Sequence, residues 1–264
     1  MIDGGKMTIF DSIVLGILQG LTEFLPVSSS GHLVLVEKLL GHKDVPLLYD
    51  ILLHVASLLA VFIFFRKKLF DLAKECASTQ FNKSHKYVLM ILAATIVTTA
   101  MLFVTKPMLE SIKVQPIYLT VAFAFTAVLL LLAQSFFKKT VPGKEISLKD
   151  ALFIGFFQGI AVLPGVSRSG STITGALFRK IPAAEAVEFS FMLAIPAILG
   201  ALLLELVKGG FAAIDPVPSI TGFVFSFVSS MAALKLLVFM MKKTVLYPFA
   251  IYLFALSALV PFVI

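Results

Sequence analysis

The sequence predicts an all-α polytopic membrane protein: six transmembrane helices plus two re-entrant helical hairpins in an inverted-topology repeat. Three observations carry that expectation. Hydrophobic residues make up 59% of the 264-residue chain, and mean hydropathy is +1.02. Soluble domains sit near half apolar or below, and a chain of this size has too much surface to hide such an excess in a core. The apolar residues fall in ten pieces, six long and four short. The short pieces form two pairs, each broken by a Pro/Gly/Ser stretch, and the pairs resemble each other.

In chain order, Ile9–Pro26 and Gly31–Leu40 make the first short pair, broken at "FLPVSSSGH", Phe24 to His32. Leu47–Phe65, Tyr87–Val104 and Pro116–Phe137 follow. Each is near the roughly 20 residues that cross a bilayer as a helix. Leu152–Pro164 and Thr172–Leu177 make the second short pair, broken at "VLPGVSRSGST", Val162 to Thr172. Ala186–Val207, Val217–Met241 and Val245–Val263 complete the spans. The whole chain, 1–264, reads as a single integral membrane domain, with one repeat over about 9–137 and the other over about 150–264.

The repeat rests on a constant spacing. Asp11, Gly16, Gln19, Gly20, Ser28, Ser30 and Gly31 recur 139 positions later as Asp150, Gly155, Gln158, Gly159, Ser167, Ser169 and Gly170. Pro26 and Pro164 are nearly in step. Self-similarity at one fixed offset is the mark of an internal duplication. Each copy is a broken hairpin followed by three spans. An odd number of crossings separates the hairpins, so the halves are expected to be inverted.

Charge agrees with that map. The net charge is +7, and the bases gather at segment ends: Arg66-Lys67-Lys68, Lys138-Lys139 and Lys242-Lys243. With loops 66–86, 138–149, 179–184 and 242–243 in the cytoplasm, those loops hold 14 of the 22 Lys and Arg. The positive-inside rule expects such a bias. Lys6, Lys38, Lys43, Lys106, Lys113 and Lys208 fall outside, and both termini lie outside. A nucleic-acid binder would gather its bases into one stripe, so nucleic acid is excluded as a partner. The single cysteine, Cys76, excludes an intrachain disulfide. The N-terminus, with Asp3, Asp11 and one base at Lys6, does not read as a cleavable signal peptide.

Inverted repeats with broken helices place irregular backbone at the membrane midplane, where it must line a cavity or be buried in protein. The two tips are therefore expected to meet. The second carries Arg168, one of three arginines and the one not at a segment end. A guanidinium in apolar surroundings costs several kcal/mol unless paired. Its planar fork suits two oxygens of a phosphate or carboxylate. Gly165 and Gly170 let backbone N–H groups turn toward a ligand, while Ser167, Ser169 and Thr172 add hydroxyls. The helix that follows presents its positive end to the same spot. Together they read as an anion cradle. A plainer reading is a helix-packing tip of small residues with Arg168 paired to Glu23.

The first tip offers different groups. Gln19 and Glu23 share one helix face just before the break. Ser28, Ser29, Ser30, Gly31 and His32 follow. A carboxylate with an amide can hold a divalent cation, or the carboxylate can act as a base. His32 can transfer a proton or attack phosphorus. Other polar residues in apolar segments read as structural. Glu205 and Lys235 are expected to pair across helices, and Glu185 and Glu188 to start one. Asp50, His54 and Ser57, like Thr95, Thr98 and Thr99, are expected to pack helices.

These residues resemble the motifs of the bacterial undecaprenyl-diphosphate phosphatases of the bacitracin-resistance type. The (Glu/Gln)-x-x-x-Glu motif is matched by Gln19 to Glu23 in "QGLTE", "PVSS-x-GH" by Pro26 to His32, and "PG-x-SRS-x-x-T" by Pro164 to Thr172. The resemblance covers the whole chain. Gln at position 19 leaves Glu23 as the sole carboxylate of its motif.

The resemblance implies hydrolysis of a polyprenyl diphosphate to the monophosphate, which recycles the lipid carrier of peptidoglycan synthesis and confers bacitracin resistance. It implies a divalent cation, Mg2+ or Ca2+, at Gln19 and Glu23, and a bacterial plasma-membrane location with the active site open to the outer face. Glu23, Ser29, His32 and Arg168 are the expected catalytic residues. Ser28, Gly165, Ser167, Arg168, Ser169, Gly170 and Thr172 are expected to bind the diphosphate. The nucleophile is Ser29, His32 or water, with Ser29 preferred. Expected partners are the lipid substrate and membrane lipids, with a homodimer allowed. The rival reading is an inverted-repeat transporter or polyprenyl-phosphate flippase. A phosphatidic-acid type phosphatase, faintly echoed by "SSGH", ranks last.

Overall fold

The structure, a computed structural model, describes residues 7–42, 45–111, 115–207 and 215–263. Among these it is all-helical. Two helical hairpins, α1 (Ile9–Phe24) with α2 (Ser29–Leu39) and α7 (Leu148–Ile160) with α8 (Arg168–Phe178), each precede longer apolar helices. The first is followed by α3 (Leu47–Phe64), α4 (Arg66–Cys76), α5 (Lys83–Ser111) and α6 (Pro116–Gln134). The second is followed by α9 (Ala183–Val207), α10 (Pro216–Lys242) and α11 (Tyr247–Val263).

By length and composition, α5, α6, α9 and α10 can each cross a membrane. A fifth crossing is available if α3 and α4, bent by 73° at Phe65, count as one. At 17 residues, α11 is apolar but shorter. Helix α4 falls where a loop was expected. Arg66, Lys67 and Lys68 end the apolar run, yet the chain stays helical on leaving it. That helix buries Leu72 and leaves Phe70 exposed.

The two hairpins share their end chemistry residue for residue. Thr8 caps α1, with the Asp11 N–H donating to Thr8 Oγ1 at 3.1 Å and the Thr8 N–H donating to Asp11 Oδ2 at 3.0 Å. Ser147 and Asp150 close the same reciprocal box on α7. Ser28 caps α2 through the Gly31 N–H, and Ser167 caps α8 through the Gly170 N–H. Each such cap satisfies backbone donors that a helix start leaves orphaned.

The first arm of each hairpin docks on a long helix of the other half: α1 on α10, and α7 on α5. Glycine makes both approaches possible. A Cβ added at Gly16 would lie 2.5 Å from the Gly222 carbonyl oxygen, and one at Gly155 would lie 2.5 Å from the Ala94 carbonyl oxygen. Hydroxyls then stitch the same backbones. Ser229 Oγ donates to the Gly16 carbonyl at 3.3 Å, and Thr98 Oγ1 to the Gly155 carbonyl at 3.1 Å. Helices α6 and α11 pack together, with Ser257 Oγ donating to the Thr120 carbonyl at 2.9 Å. The main core includes Phe24, Phe123, Phe191 and Leu234, and Phe24 meets Phe191 edge-on. Thr95 and Thr98 bond backbone carbonyls as packing residues do, and Ser57 bonds Leu53 O and the Ser226 and Ser230 hydroxyls. The expected Glu205–Lys235 pair, and the bases at Lys6, Lys43, Lys106, Lys113 and Lys208, involve side chains outside the described residues.

Candidate functional site

Sequence-local effects make each tip. Leu25 precedes Pro26, whose ring disfavours helical backbone in the residue before it, and Leu25 is extended at φ −63°, ψ 142°. Ser28 then adopts φ 73°, a conformation costing a non-glycine residue on the order of 1–3 kcal/mol. That turn redirects the chain into α2. On the other side Pro164 and Gly165, at φ 84°, turn the chain into α8.

The two tips touch. Arg168 Nη2 pairs with Glu23 Oε1. The Gly165 N–H donates to Ser30 Oγ at 3.2 Å, and Ser169 Oγ donates to the Leu25 carbonyl at 3.2 Å. Only 5% of the Glu23 side chain and 18% of the Arg168 side chain remain exposed. Removing one partner of such a pair strands a buried charge, at about 3–5 kcal/mol. This pair is the one that the plainer packing reading expects, and the cradle reading needs in addition a hollow between the tips.

A cavity of about 430 Å³ does separate them, because it lies between the tips. Glu23, Ser28, Ser29 and Ser30 line it from the first hairpin, and Ser167 and Arg168 from the second. The opening turns of α2 and α8 thus both border it, and helix starts attract anions. Glu23 is the hub. Its Oε2 accepts from Ser29 Oγ at 2.6 Å and from Gln19 Nε2 at 3.1 Å.

The 139-residue spacing between the two tips isolates what is special here. Position 23 is Glu in the first copy and Val162 in the second; position 29 is Ser in the first and Arg168 in the second. All four line the same cavity. The hairpins differ at the very places where they face each other.

Other expected residues lie elsewhere. His32 does not line the cavity. Its ring is buried, with Nδ1 at 2.7 Å from the Ser28 carbonyl and Nε2 at 2.7 Å from the Tyr252 hydroxyl, stacked on Tyr252 and edge-on to Phe123. Gly165, Ser169, Gly170 and Thr172 also sit behind the wall. The Gly165 and Gly170 N–H groups are taken by Ser30 and Ser167. Thr172 Oγ1 donates to the Arg168 carbonyl at 2.9 Å and sits 2.6 Å from Ser190 Oγ. These groups build the tip. Gln19 is fully buried beside Glu23, with Oε1 unpartnered among the described residues.

Sequence reasoning assigned Asp50 and His54 to packing, yet both line the cavity from α3. His54 Nδ1 lies 2.8 Å from the Asp50 carbonyl, which directs Nε2 toward Glu23 Oε2 at 3.6 Å. Their one-turn spacing in an apolar run, "DILLH", was the available signal.

The family model described as bacitracin resistance protein BacA matches residues 12–259. A protein of Treponema denticola named undecaprenyl-diphosphatase is 42% identical, covering 95% of this chain and 96% of its own length. Proteins of the same name from Carboxydothermus hydrogenoformans and Christiangramia forsetii are 38% and 37% identical, with 95% of this chain covered in both and 95% and 96% of their own lengths.

Proposed function

The chain belongs to the bacitracin resistance protein BacA family, and on that premise we propose that it hydrolyses undecaprenyl diphosphate to undecaprenyl phosphate and phosphate. The observation that carries this reading is one cavity holding Arg168, Glu23 and the Ser29 hydroxyl among apolar walls. A lipid diphosphate needs both surfaces, an anion site for its head and hydrocarbon contact for its tail.

Ser29 Oγ is the nucleophile. It attacks the terminal phosphorus while its proton passes to Glu23 Oε2, the acceptor it already faces at 2.6 Å. The bond from that phosphorus to the bridging oxygen breaks, and the polyprenyl monophosphate departs with the proton that Glu23 took, leaving the carboxylate free again. Water then attacks the phosphoserine, its proton returning through Glu23 to Ser29 Oγ as phosphate leaves. Arg168 has five N–H donors, so it can hold Glu23 and still meet phosphoryl oxygens. The helix starts of α2 and α8 add positive potential where charge develops. Tyr252 and Ser28 hold His32 as part of the frame.

A divalent cation fits this donor set. Glu23 lines the cavity, and Gln19, buried behind it outside that lining, leaves Oε1 without a partner among the described residues; oxygen donors suit Mg2+ or Ca2+. Among the described residues no group of three or more His, Cys, Asp or Glu gathers, so Gln19 and Glu23 would leave most of the shell to water and phosphate oxygens. Such an ion would neutralise charge on the diphosphate.

The reading includes topology. The hairpins are re-entrant from opposite faces, the spans are α3, α5, α6, α9, α10 and α11, and the cavity opens to the outer face of the bacterial plasma membrane. The swapped docking of α1 on α10 and α7 on α5 supports the inversion. The same symmetry favours a second reading, movement of intact polyprenyl phosphate across the bilayer. Phosphate release by purified protein from undecaprenyl diphosphate tests the first. Loss of release in both Arg168→Ala and Glu23→Ala, with the fold kept, is the expected result. Unchanged rates in both would overturn it. Transport of intact lipid into vesicles, without release, would favour the second.

A further inference from the structure

The chamber has one wall made differently from the others. Polar groups come from the two tips and from Asp50 and His54 on α3. Helix α9 contributes only Ala197, Ile198, Ala201 and Leu202. Helices α3 and α9 touch where Leu58, Ala194 and Ile198 pack as a small buried cluster. Beyond that contact, Ile51 and Val55 on α3 and Ala197 and Ala201 on α9 line the cavity. Ala201 both lines the cavity and is solvent-exposed, so the chamber reaches the molecular surface there. A Cβ added at neighbouring Gly200 would meet nothing within 4 Å. The adjoining surface of α9 is apolar, with Leu199, Leu203 and Leu204 exposed.

Resting on the phosphatase reading, we propose that the polyisoprenoid tail leaves the chamber sideways through the cleft between α3 and α9, passing over Ala197 and Ala201. The Leu58–Ala194–Ile198 contact closes the cleft at one end, so the tail's direction is set by the fold. Small side chains at 197 and 201 keep the passage wide enough for a branched chain. Exposed leucines beside it give the emerging tail an apolar surface to follow. A large side chain at 201 discriminates by tail length, because a short prenyl group has no need to pass position 201.

The test compares undecaprenyl diphosphate with geranyl diphosphate on Ala201→Phe in the full chain, with Leu132→Phe, exposed on α6 away from the cavity, as control. Ala201→Phe is expected to raise KM for the undecaprenyl substrate about tenfold or more while changing kcat/KM for the geranyl substrate less than about twofold. Leu132→Phe is expected to change neither. Equal loss on both substrates, or no loss on either, would overturn the proposal. A second readout needs no turnover. In a Cys76→Ser background, undecaprenyl diphosphate should protect an Ala201→Cys thiol from a lipid-soluble maleimide, and geranyl diphosphate should not. Absence of protection by the long-chain lipid overturns the passage. Protection in a protein that releases no phosphate keeps the passage and removes the phosphatase reading.

Discussion

Ser29 and Arg168 occupy the same place in two similar hairpins, 139 positions apart, and both meet Glu23 across one cavity. Each is the first residue of its helix, following a serine cap. Two like turns thus carry unlike groups, one a hydroxyl beside a carboxylate and the other a guanidinium.

The ion pair should reveal itself in a double-mutant cycle. Glu23→Gln or Arg168→Met alone strands a buried charge, and each is expected to lose about 3–5 kcal/mol. The double variant should lose clearly less than the sum of the two. Unfolding followed in detergent measures this; additive losses would mean the pair is not coupled.

Removing the Ser29 hydroxyl tests the nucleophile. Ser29→Ala is expected to lower kcat by at least about 10³-fold and to abolish a trapped phosphoenzyme. A label found at His32 instead would reassign the role, despite that ring's position behind the cavity wall.

Tyr252 bonds His32 from a helix 220 positions away in sequence. Tyr252→Phe leaves His32 Nε2 unpartnered and is expected to cost about 1–3 kcal/mol of stability. The expected kinetic effect is small, since neither ring lines the cavity. A large fall in kcat at unchanged stability would give His32 a chemical role.

Gln19→Glu adds a second carboxylate next to Glu23. It is expected to lower the Mg2+ or Ca2+ concentration giving half-maximal phosphate release, because added ligand charge tightens hard-cation sites. Chelation should inhibit both forms. An unchanged cation titration would place the ion elsewhere.

The glycine contacts predict paired effects. Gly16→Ala and Gly155→Ala both drive a methyl into carbonyl backbone, at 2.5 Å in each case. Overpacking of this kind costs about 1–3 kcal/mol. Thermal midpoints of both variants should fall, and a fall in only one would show that the docking is not equivalent in the two halves.

Much of this site was legible in the sequence because the two tips share one spacing and broken helices need special residues. Both tips and the Arg168–Glu23 pair follow from offsets, prolines and one arginine out of place. The depth of each residue did not follow. His32 stands beside the serines in sequence, but helix α2 rotates it toward Tyr252 and Phe123. Asp50 and His54 lie far from both motifs, and only the packing of α3 brings them to the cavity. Helix α4 was missed because its charges mask helical continuity with the apolar run before it.

The exchange of docking partners between the halves constrains how the chain matures. Helix α1 is synthesised first, yet the surface it rests against is α10, which ends at Lys242. The Gly16 face of the N-terminal hairpin must therefore wait uncovered until α10, nearly the last segment, has emerged from the ribosome. Fragments ending before residue 216 should be targets for membrane quality control, and separately expressed halves should persist only when produced together.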